Sequence, residues 1–267
     1  MDALHEIDAW DVPFAAAGVT RAGQALATRG DTMRVVRLAS VSKPIAALAA
    51  LVAAEEGVVD LDEPAGPPGA TVRHLLAHAS GLPFEGETPI APPARRRIYS
   101  NEGFRVLGEH VALQAEMQFA DYVRAAVEPL GLSLDPSGHP GSGMHGSLDD
   151  VLALGRELLA PRLVAAETHA EMVAVQFPGL DGVLPEYGRF SPLDWGLGVE
   201  VKGAKEGHWS GSRTSPRTFG HFGGSGTFLW VDPELGIACA ALTTREFGDW
   251  AKAAWPRLSD AVVDELR

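Results

Sequence analysis

The chain has 267 residues, of which 46% are apolar and 21% charged, and it carries a net charge of −13. This composition is typical of a globular protein with a sizeable core, and the negative charge argues against non-specific binding to nucleic acid or to an anionic membrane. No apolar run reaches the length of a membrane span, and the acidic start MDALHEIDAWDVP lacks the basic and apolar regions of a secretory leader, so we predict a cytoplasmic protein.

The first predicted elements are two short strands, in FAAAGVT and QALATRG. A helix follows Ser40 and ends near Gly57, because glycine commonly terminates helices. From about 71 to 177, apolar residues recur at three and four positions, which predicts a block of helices.

From about residue 193 the pattern changes to strands, in LDWGLGVEVKG, RTFGHFG, GTFLWVDPE and GIACAALTT. Short turns between the late strands require antiparallel pairing, since a parallel pair needs a long crossover. The lone Cys239 is predicted to be buried in its strand, and it excludes an internal disulfide. The final segment is predicted to be helical, with a kink or break at Pro256.

This order of elements predicts an α+β fold of the α/β sandwich type. An antiparallel sheet would be flanked by the N- and C-terminal helices, and an all-helical subdomain would be inserted into the chain. We assign residues 1–62 and 180–267 to the sheet subdomain and residues 63–179 to the helical one. A catalytic cleft would lie between the two.

Ser40 and Lys43 form an S-x-x-K pattern at the start of an Ala/Leu/Val helix. Residues three apart lie on one helix face, so the amine would lie one turn from the hydroxyl. Burial and the positive end of the helix dipole both disfavour the lysine cation, and a neutral amine could remove the proton of the serine. Arginine could not do so, because it does not deprotonate. By itself, however, the pattern is also compatible with Ser40 or Ser42 as a simple helix cap.

Two further stretches strengthen the catalytic interpretation: Tyr99-Ser100-Asn101 just before a helix, and His221-Phe222-Gly223 in a predicted strand. With Ser40-Val41-Ser42-Lys43 they resemble, in the same order, the three motifs of the serine β-lactamase and penicillin-binding-protein superfamily. Their Y-S-N and H-x-G forms are similar to the branch that contains class C β-lactamases, D-alanyl-D-alanine carboxypeptidases and related esterases. The similarity extends over most of residues 36–243.

The resemblance implies a role for each matching residue. Ser40 would be the nucleophile that forms an acyl-enzyme, and Lys43 would take its proton, directly or together with Tyr99. Tyr99 would pass a proton to the leaving group and help to activate water for deacylation. Asn101 would bind both Lys43 and the acyl side chain of the substrate.

The strand motif would complete the site. The backbone N–H groups of Ser40 and Gly224 would form the oxyanion hole. Gly223 would allow the substrate to lie close to the strand edge, because a side chain there would block it. His221 would face the cleft and influence Tyr99, and Phe222 would take the place of a substrate-binding hydroxyl.

Other kinds of site receive little support from the sequence. His74 and His78 have the i, i+4 spacing of zinc ligands, but the glutamate of H-E-x-x-H is missing, so we predict no metal. Gly223-Gly224-Ser225-Gly226-Thr227 departs from the G-x-S-x-G elbow at its last position and from a phosphate-binding loop. We predict no cofactor.

The sequence therefore predicts a serine hydrolase that acts on small ester or amide substrates, without nucleic-acid or membrane partners. A true β-lactamase or a D-Ala-D-Ala carboxypeptidase is the alternative within the same chemistry. The alternative from another class is a binding or regulatory module that keeps the fold without turnover. Because Phe222 offers no hydroxyl and an unperturbed histidine is only partly charged near neutral pH, we expect His221 and Phe222 to favour neutral esters over substrates with a carboxylate.

Overall fold

The computed structural model of the protein describes residues 1–267. Its strands, in chain order, are β1 (Ala15–Thr20), β2 (Ala25–Arg29), β3 (Val36–Arg37), β4 (Arg97–Ile98), β5 (His145–Gly146), β6 (Gly182–Leu184), β7 (Gly188–Phe190), β8 (Glu200–Val201), β9 (Phe219–Gly223), β10 (Thr227–Asp232) and β11 (Ile237–Thr243). Its helices are α1 (Ser42–Glu55), α2 (Val72–Leu76), α3 (Asn101–Gln114), α4 (Phe119–Val127), α5 (Leu148–Leu159), α6 (Ala166–Val173) and α7 (Asp249–Leu266). Short 3-10 helices span Asp2–Ala9, Ala39–Val41 and Glu128–Leu130.

The main sheet has six strands in the order β2-β1-β11-β10-β9-β8, and every neighbouring pair is antiparallel. The α+β fold with an antiparallel sheet is therefore confirmed. Two smaller sheets join β3 to β5 and β4 to β6 and β7. The pairing of β3 with β5 and of β4 with β6 ties the segments before Ser40 and Tyr99 to distant parts of the chain.

The two faces of the main sheet support separate cores, because successive side chains of a strand point to opposite faces. In β10, Leu229 and Val231 belong to the larger core, while Phe228 and Trp230 belong to the smaller one. Helix α5 packs on the first face against β1, β10 and β11. Helix α7 and the N-terminal 3-10 helix pack together, and their apolar residues, Trp255 among them, belong to the smaller core.

Helix α1 is buried on almost all sides, which explains why its residues are mainly alanine, leucine and valine. It contacts α3, α4 and β9 and so crosses from the helical block to the sheet. Because small alanine side chains allow close approach, the helix fits into this crowded position. It carries Lys43 in its first turn.

Capping residues fix where the helices around the site begin. The Ser100 side chain accepts a hydrogen bond from the backbone of Gly103 at 2.8 Å, so α3 starts directly after the Tyr99 position. Ser147 and Asp150 form a capping box at the start of α5. These side chains satisfy backbone N–H groups that a helix leaves unpaired, and each is worth about 1 kcal/mol.

Two expectations need refinement. Pro256 neither breaks nor ends the last helix, since α7 continues on both sides of it; the buried Trp255 and Leu258 hold the helix against the sheet. Helix α5 lies within residues 63–179, yet it packs on the sheet, so the predicted helical segment contributes one layer of the sandwich. The assignment of residues 1–62 and 180–267 to one subdomain stays a prediction. None of the helices combines the length and apolar character that crossing a membrane requires.

Three of the four lysines are buried, at positions 43, 202 and 205. Lys205 and His208 both contact the carboxylate of Glu200, at 3.3 and 3.2 Å, and Trp209 donates to it at 2.7 Å. Burial would raise the pKa of Glu200, but these partners outweigh burial and lower the pKa to about 2. Lys43 has no such carboxylate partner, which sets it apart from Lys205.

Candidate active site

Ser40 lies in the 3-10 turn Ala39–Val41, directly before α1 begins at Ser42. Ala39 has a φ of 47°, a left-handed conformation that costs a residue with a side chain about 1–3 kcal/mol. Ser42 is buried, and its hydroxyl accepts a hydrogen bond from Met144 N at 3.1 Å. Ser40 is therefore the serine that is available to a ligand, while Ser42 has a structural partner.

The amine of Lys43 lies next to the Ser40 hydroxyl. The Nζ atom lies 3.4 Å from Ser40 Oγ, 2.6 Å from Asn101 Oδ1 and 2.9 Å from the carbonyl oxygen of Gly141. It also lies 4.6 Å from the centre of the Tyr99 ring. Because the side chain is fully buried, the pKa of Lys43 falls well below its ordinary value of 10.5.

The three contacts of Lys43 Nζ match the hydrogen-bonding capacity of a neutral amine. A neutral amine has two N–H groups and one lone pair. Asn101 Oδ1 and the carbonyl of Gly141 are acceptors only, so they take the two N–H groups. The lone pair is left for the hydroxyl proton of Ser40. A neutral amine in this position can accept the proton of the Ser40 hydroxyl.

Tyr99 is the second side chain that contacts the Ser40 hydroxyl. Its hydroxyl donates to Ser40 Oγ at 2.7 Å, and its ring packs against His78 and Trp195, with ring centres 4.6 and 5.8 Å away. Burial raises the pKa of Tyr99, so its hydroxyl stays protonated at neutral pH. The Tyr99 hydroxyl is therefore able to donate a proton in the free protein.

His221 is buried beside Tyr99, with ring centres 5.8 Å apart. Its Nδ1–H donates to the backbone oxygen of Phe222 at 2.7 Å, which leaves a lone pair on Nε2 without a protein partner. Burial lowers the pKa of His221 to about 3. The expectation of partial charge near neutral pH is therefore wrong: desolvation keeps the ring neutral.

The end of β9 supplies the backbone groups of the site. The N–H of Gly224 donates to no protein acceptor, whereas its carbonyl accepts from Phe247 N at 2.8 Å. This leaves the N–H free to bind a developing oxyanion. We expected that a side chain at residue 223 would block the substrate, and this expectation is wrong. A Cβ on Gly223 would overlap the carbonyl oxygen of Leu38 and the hydroxyl of Thr227 rather than reach the cleft. Glycine at 223 lets β9 pack against the segment that leads to Ser40.

A pocket of about 290 Å³ opens in front of Ser40. Of the residues predicted for the site, all except Lys43, Asn101 and Gly223 line this pocket. The residues that line it are Ser40, Phe84, Tyr99, Leu184, Pro185, Glu186, His221, Phe222, Gly224, Glu246 and Phe247. The ring of Phe222 also packs against Phe247, 5.1 Å away, and so belongs to the smaller core as well as to the pocket wall.

Several site residues were not identified from the sequence. His78 is buried, has a φ of 54° and accepts a hydrogen bond from Ser100 N at 3.1 Å. Helix α2 ends before His78, so the zinc-like spacing to His74 does not place the two rings on one helical face. Trp195, which packs on Tyr99, and the Gly141 carbonyl were also missed. A backbone carbonyl leaves no signal in residue type. His78 is evident as a histidine in the sequence, but only the folded structure shows that it lies against Ser100 of the Y-S-N segment.

Comparisons with known proteins bear on the family and the fold of the chain. The beta-lactamase family model matches residues 5–134 and 126–263 of the chain. A crystal structure of a beta-lactamase from Mycobacterium bovis is 52% identical, covers 99% of both chains and has a TM-score of 0.97. EstCE1, a hydrolase with promiscuous acyltransferase activity, is 19% identical over 98% of this chain and 96% of its own, with a TM-score of 0.80, and shows the shared fold. Penicillin-binding protein 4* of Bacillus subtilis (strain 168) is 27% identical, and the match spans 36% of this chain and only 29% of that protein.

Proposed function

The chain belongs to the beta-lactamase family, and from that premise we propose that it is a serine hydrolase that works through a covalent acyl-enzyme on small esters or amides. The proposal is carried by one observation: Ser40 Oγ lies between a buried lysine amine at 3.4 Å and a tyrosine hydroxyl at 2.7 Å. The amine has a lone pair to receive a proton, and the hydroxyl has a proton to give. A binding module would not require either.

In the proposed acylation, Lys43 removes the proton of Ser40 while Ser40 Oγ attacks the carbonyl carbon of the substrate. The negative charge on the carbonyl oxygen is stabilised by the N–H groups of Ser40 and Gly224. When the intermediate collapses, the bond to the leaving group breaks, and Tyr99 donates its proton to the departing atom. The proton held by Lys43 then restores the Tyr99 hydroxyl.

In the proposed deacylation, a water molecule replaces the leaving group and attacks the acyl carbon. Its proton passes to Tyr99 and Lys43, and the bond to Ser40 Oγ breaks as Ser40 recovers a proton. Asn101 keeps the Lys43 amine oriented through the 2.6 Å hydrogen bond in both halves of the reaction. Positioning of this kind and acid–base catalysis each contribute several kcal/mol to a lowered barrier.

The pocket favours neutral esters over substrates that carry a carboxylate. His221 is neutral and Phe222 has no hydroxyl, so neither offers a charge-assisted hydrogen bond. The absence of such a bond weakens binding by about 1.5–3 kcal/mol. Glu186 and Glu246 also line the pocket. Lys252 lies 3.6 Å from Glu186 and Arg37 lies 4.0 Å from Glu246, and these cations moderate the repulsion of an anion. The preference for neutral esters therefore comes mainly from His221 and Phe222.

Labelling with a fluorophosphonate probe tests the nucleophile. Ser40→Ala should abolish labelling and the hydrolysis of p-nitrophenyl acetate, whereas Ser42→Ala should keep both, with a loss of about 1–3 kcal/mol of stability because Met144 N loses its acceptor. If Ser40→Ala is still labelled and Ser42→Ala is not, the assignment of the nucleophile is wrong. If neither the wild type nor any variant is labelled, the alternative of a binding module gains the advantage.

A comparison of substrates tests the preference. We expect kcat/KM for p-nitrophenyl acetate to exceed that for nitrocefin and for D-Ala-D-Ala peptides in the wild type. The opposite order would favour the alternative assignment as a β-lactamase or a carboxypeptidase. The chemistry at Ser40 would be the same in both cases, so the labelling result and the substrate order are independent.

A further inference from the structure

A second and larger pocket, of about 580 Å³, adjoins the one at Ser40. The two share Phe84, Tyr99, Pro185 and Glu186, so a ligand that reaches Ser40 could extend from one into the other without leaving the surface. The volume lies within the range of about 300–1,000 Å³ that is usual for small-molecule sites. The acyl-transfer chemistry proposed above does not require this space.

The wall of the second pocket collects apolar side chains that the fold leaves exposed. The chain has seven large apolar residues with high exposure, and three of them line this one pocket: Phe84, Ile90 and Val183, at 49%, 55% and 57%. Ile98 and Pro185 complete the apolar lining. Exposed apolar residues that are scattered singly need no explanation, but a group of them in one concavity beside a nucleophile indicates a binding site.

Most charged groups around the pocket are already engaged with protein partners. Arg97 donates to the backbone oxygens of Leu193, Ala77 and Gln176 and is buried. The other pairs are Arg189 with Asp181 and Lys252 with Glu186. Arg96 is exposed and has no ion-pair partner, so it stays hydrated in water. The free part of the wall is therefore mainly apolar.

We propose that this pocket binds an aliphatic chain of the substrate, so that esters with a chain of several carbons are preferred over acetate or ethyl esters. The inference rests on the proposed function for its link to Ser40, but the binding of an aliphatic chain does not depend on turnover. Each methylene that leaves water contributes a factor of up to about four to binding or to kcat/KM. The chain could belong to the acyl part or to the alcohol part of the ester.

Two series of esters distinguish these sources. The first is p-nitrophenyl esters of linear acids from two to ten carbons, and the second is acetate esters of linear alcohols over the same range, followed by pH-stat titration. We expect kcat/KM to rise with chain length in one series, by at least tenfold from the shortest to the best substrate. The series that rises identifies the part of the substrate in the pocket, and two flat profiles would overturn the proposal.

Val183→Trp would fill the pocket, and Val35→Trp is its matched control. Both valines are 57% exposed, but Val35 does not line the pocket. Val183→Trp should lower kcat/KM for the long-chain esters at least tenfold and leave kcat/KM for the acetate ester within about twofold of the wild type. Val35→Trp should change neither value. Equal loss for short and long chains in Val183→Trp would contradict a chain-binding role.

A binding measurement separates failure of this inference from failure of the proposed function. Titration calorimetry of the Ser40→Ala variant requires no turnover. N-octylacetamide tests the alcohol side and N-ethyloctanamide the acyl side, each against N-ethylacetamide. We expect one of the two long-chain amides to bind at least tenfold more tightly than N-ethylacetamide, and Val183→Trp introduced into the same variant to abolish the difference. Such preferential binding, together with a wild type that hydrolyses no ester, would retain the pocket and reject the hydrolase; equal binding of all three amides would reject the pocket.

Discussion

The replacement of Lys43 by methionine tests the central element of the site, a fully buried amine without a carboxylate partner. In the folded protein the pKa of Lys43 lies well below 10.5 because of burial, whereas in the unfolded chain the amine is in water. Between these two pKa values the unfolded chain binds one proton more than the folded protein. The free energy of unfolding of the wild type therefore rises with pH across this window, by up to about 1.4 kcal/mol per pH unit.

Lys43→Met removes this dependence and adds a penalty that does not vary with pH. Asn101 Oδ1 and the carbonyl of Gly141 lose their donor, at a cost of about 1–3 kcal/mol each. The free energy of unfolding of the variant, relative to that of the wild type, should therefore be most favourable at the low-pH end of the window. There the wild type must bury the Lys43 cation or release its proton on folding, and either costs free energy. As the pH rises towards 10.5, the wild type should gain on the variant.

Urea unfolding of both proteins at half-unit steps from pH 6 to pH 10 measures this difference. The value of kcat/KM for p-nitrophenyl acetate in the wild type should rise through the lowered pKa of Lys43 and level off above it, since the neutral amine is the active form, and Lys43→Met should lose about 10²–10⁴-fold. Lys252→Met controls for the loss of a lysine at the surface. If the free energies of unfolding of the wild type and Lys43→Met differ by the same amount at every pH, the assignment of a buried amine with a lowered pKa is refuted.

Two further substitutions probe the rest of the site. Tyr99→Phe keeps the ring packing on His78 and removes the proton donor, so ester turnover should fall by about 10²–10⁴-fold, with an acyl-enzyme that accumulates in intact-mass spectra; normal turnover would argue against its role. Gly223→Ala should destabilise the fold by about 1–3 kcal/mol in thermal unfolding, because the new methyl group overlaps the Leu38 carbonyl. Gly224→Ala is its control, since a Cβ there meets nothing closer than 4.0 Å; equal midpoints for the two variants would contradict the packing argument.

The sequence predicted the long elements well, because their apolar periodicity extends over several turns or residue pairs. Helices α1 and α3 and strands β10 and β11 lie within the segments that the pattern indicated. Strands of two residues, such as β3 and β4, are too short to show a period, and they depend on partners elsewhere in the chain. The predicted break at Pro256 is wrong, because tertiary packing of α7 outweighs the lost helical hydrogen bond.

The site was predictable from motifs to the extent that side chains carry the chemistry. Lys43 and Tyr99 are separated by 56 positions, and only the order of three motifs indicated that they meet at Ser40. The structure places them there, while their catalytic roles stay a prediction. The charge state of His221 was not predictable, because desolvation depends on what folds around the ring. The strained backbone of Ala39 likewise has no signal in residue type, since alanine is compatible with many conformations.

The burial of three lysines has a practical consequence for chemical coupling. Apart from the amino terminus, Lys252 is the only lysine that an amine-reactive reagent can reach readily, since the other three are enclosed by protein. Lys252 lies 3.6 Å from Glu186 and 5.8 Å from the ring centre of Phe247, and both of these residues line the pocket at Ser40. Attachment to a sensor surface or a dye through N-hydroxysuccinimide esters would therefore place the linker at the mouth of the site. A terminal tag would leave that entrance open.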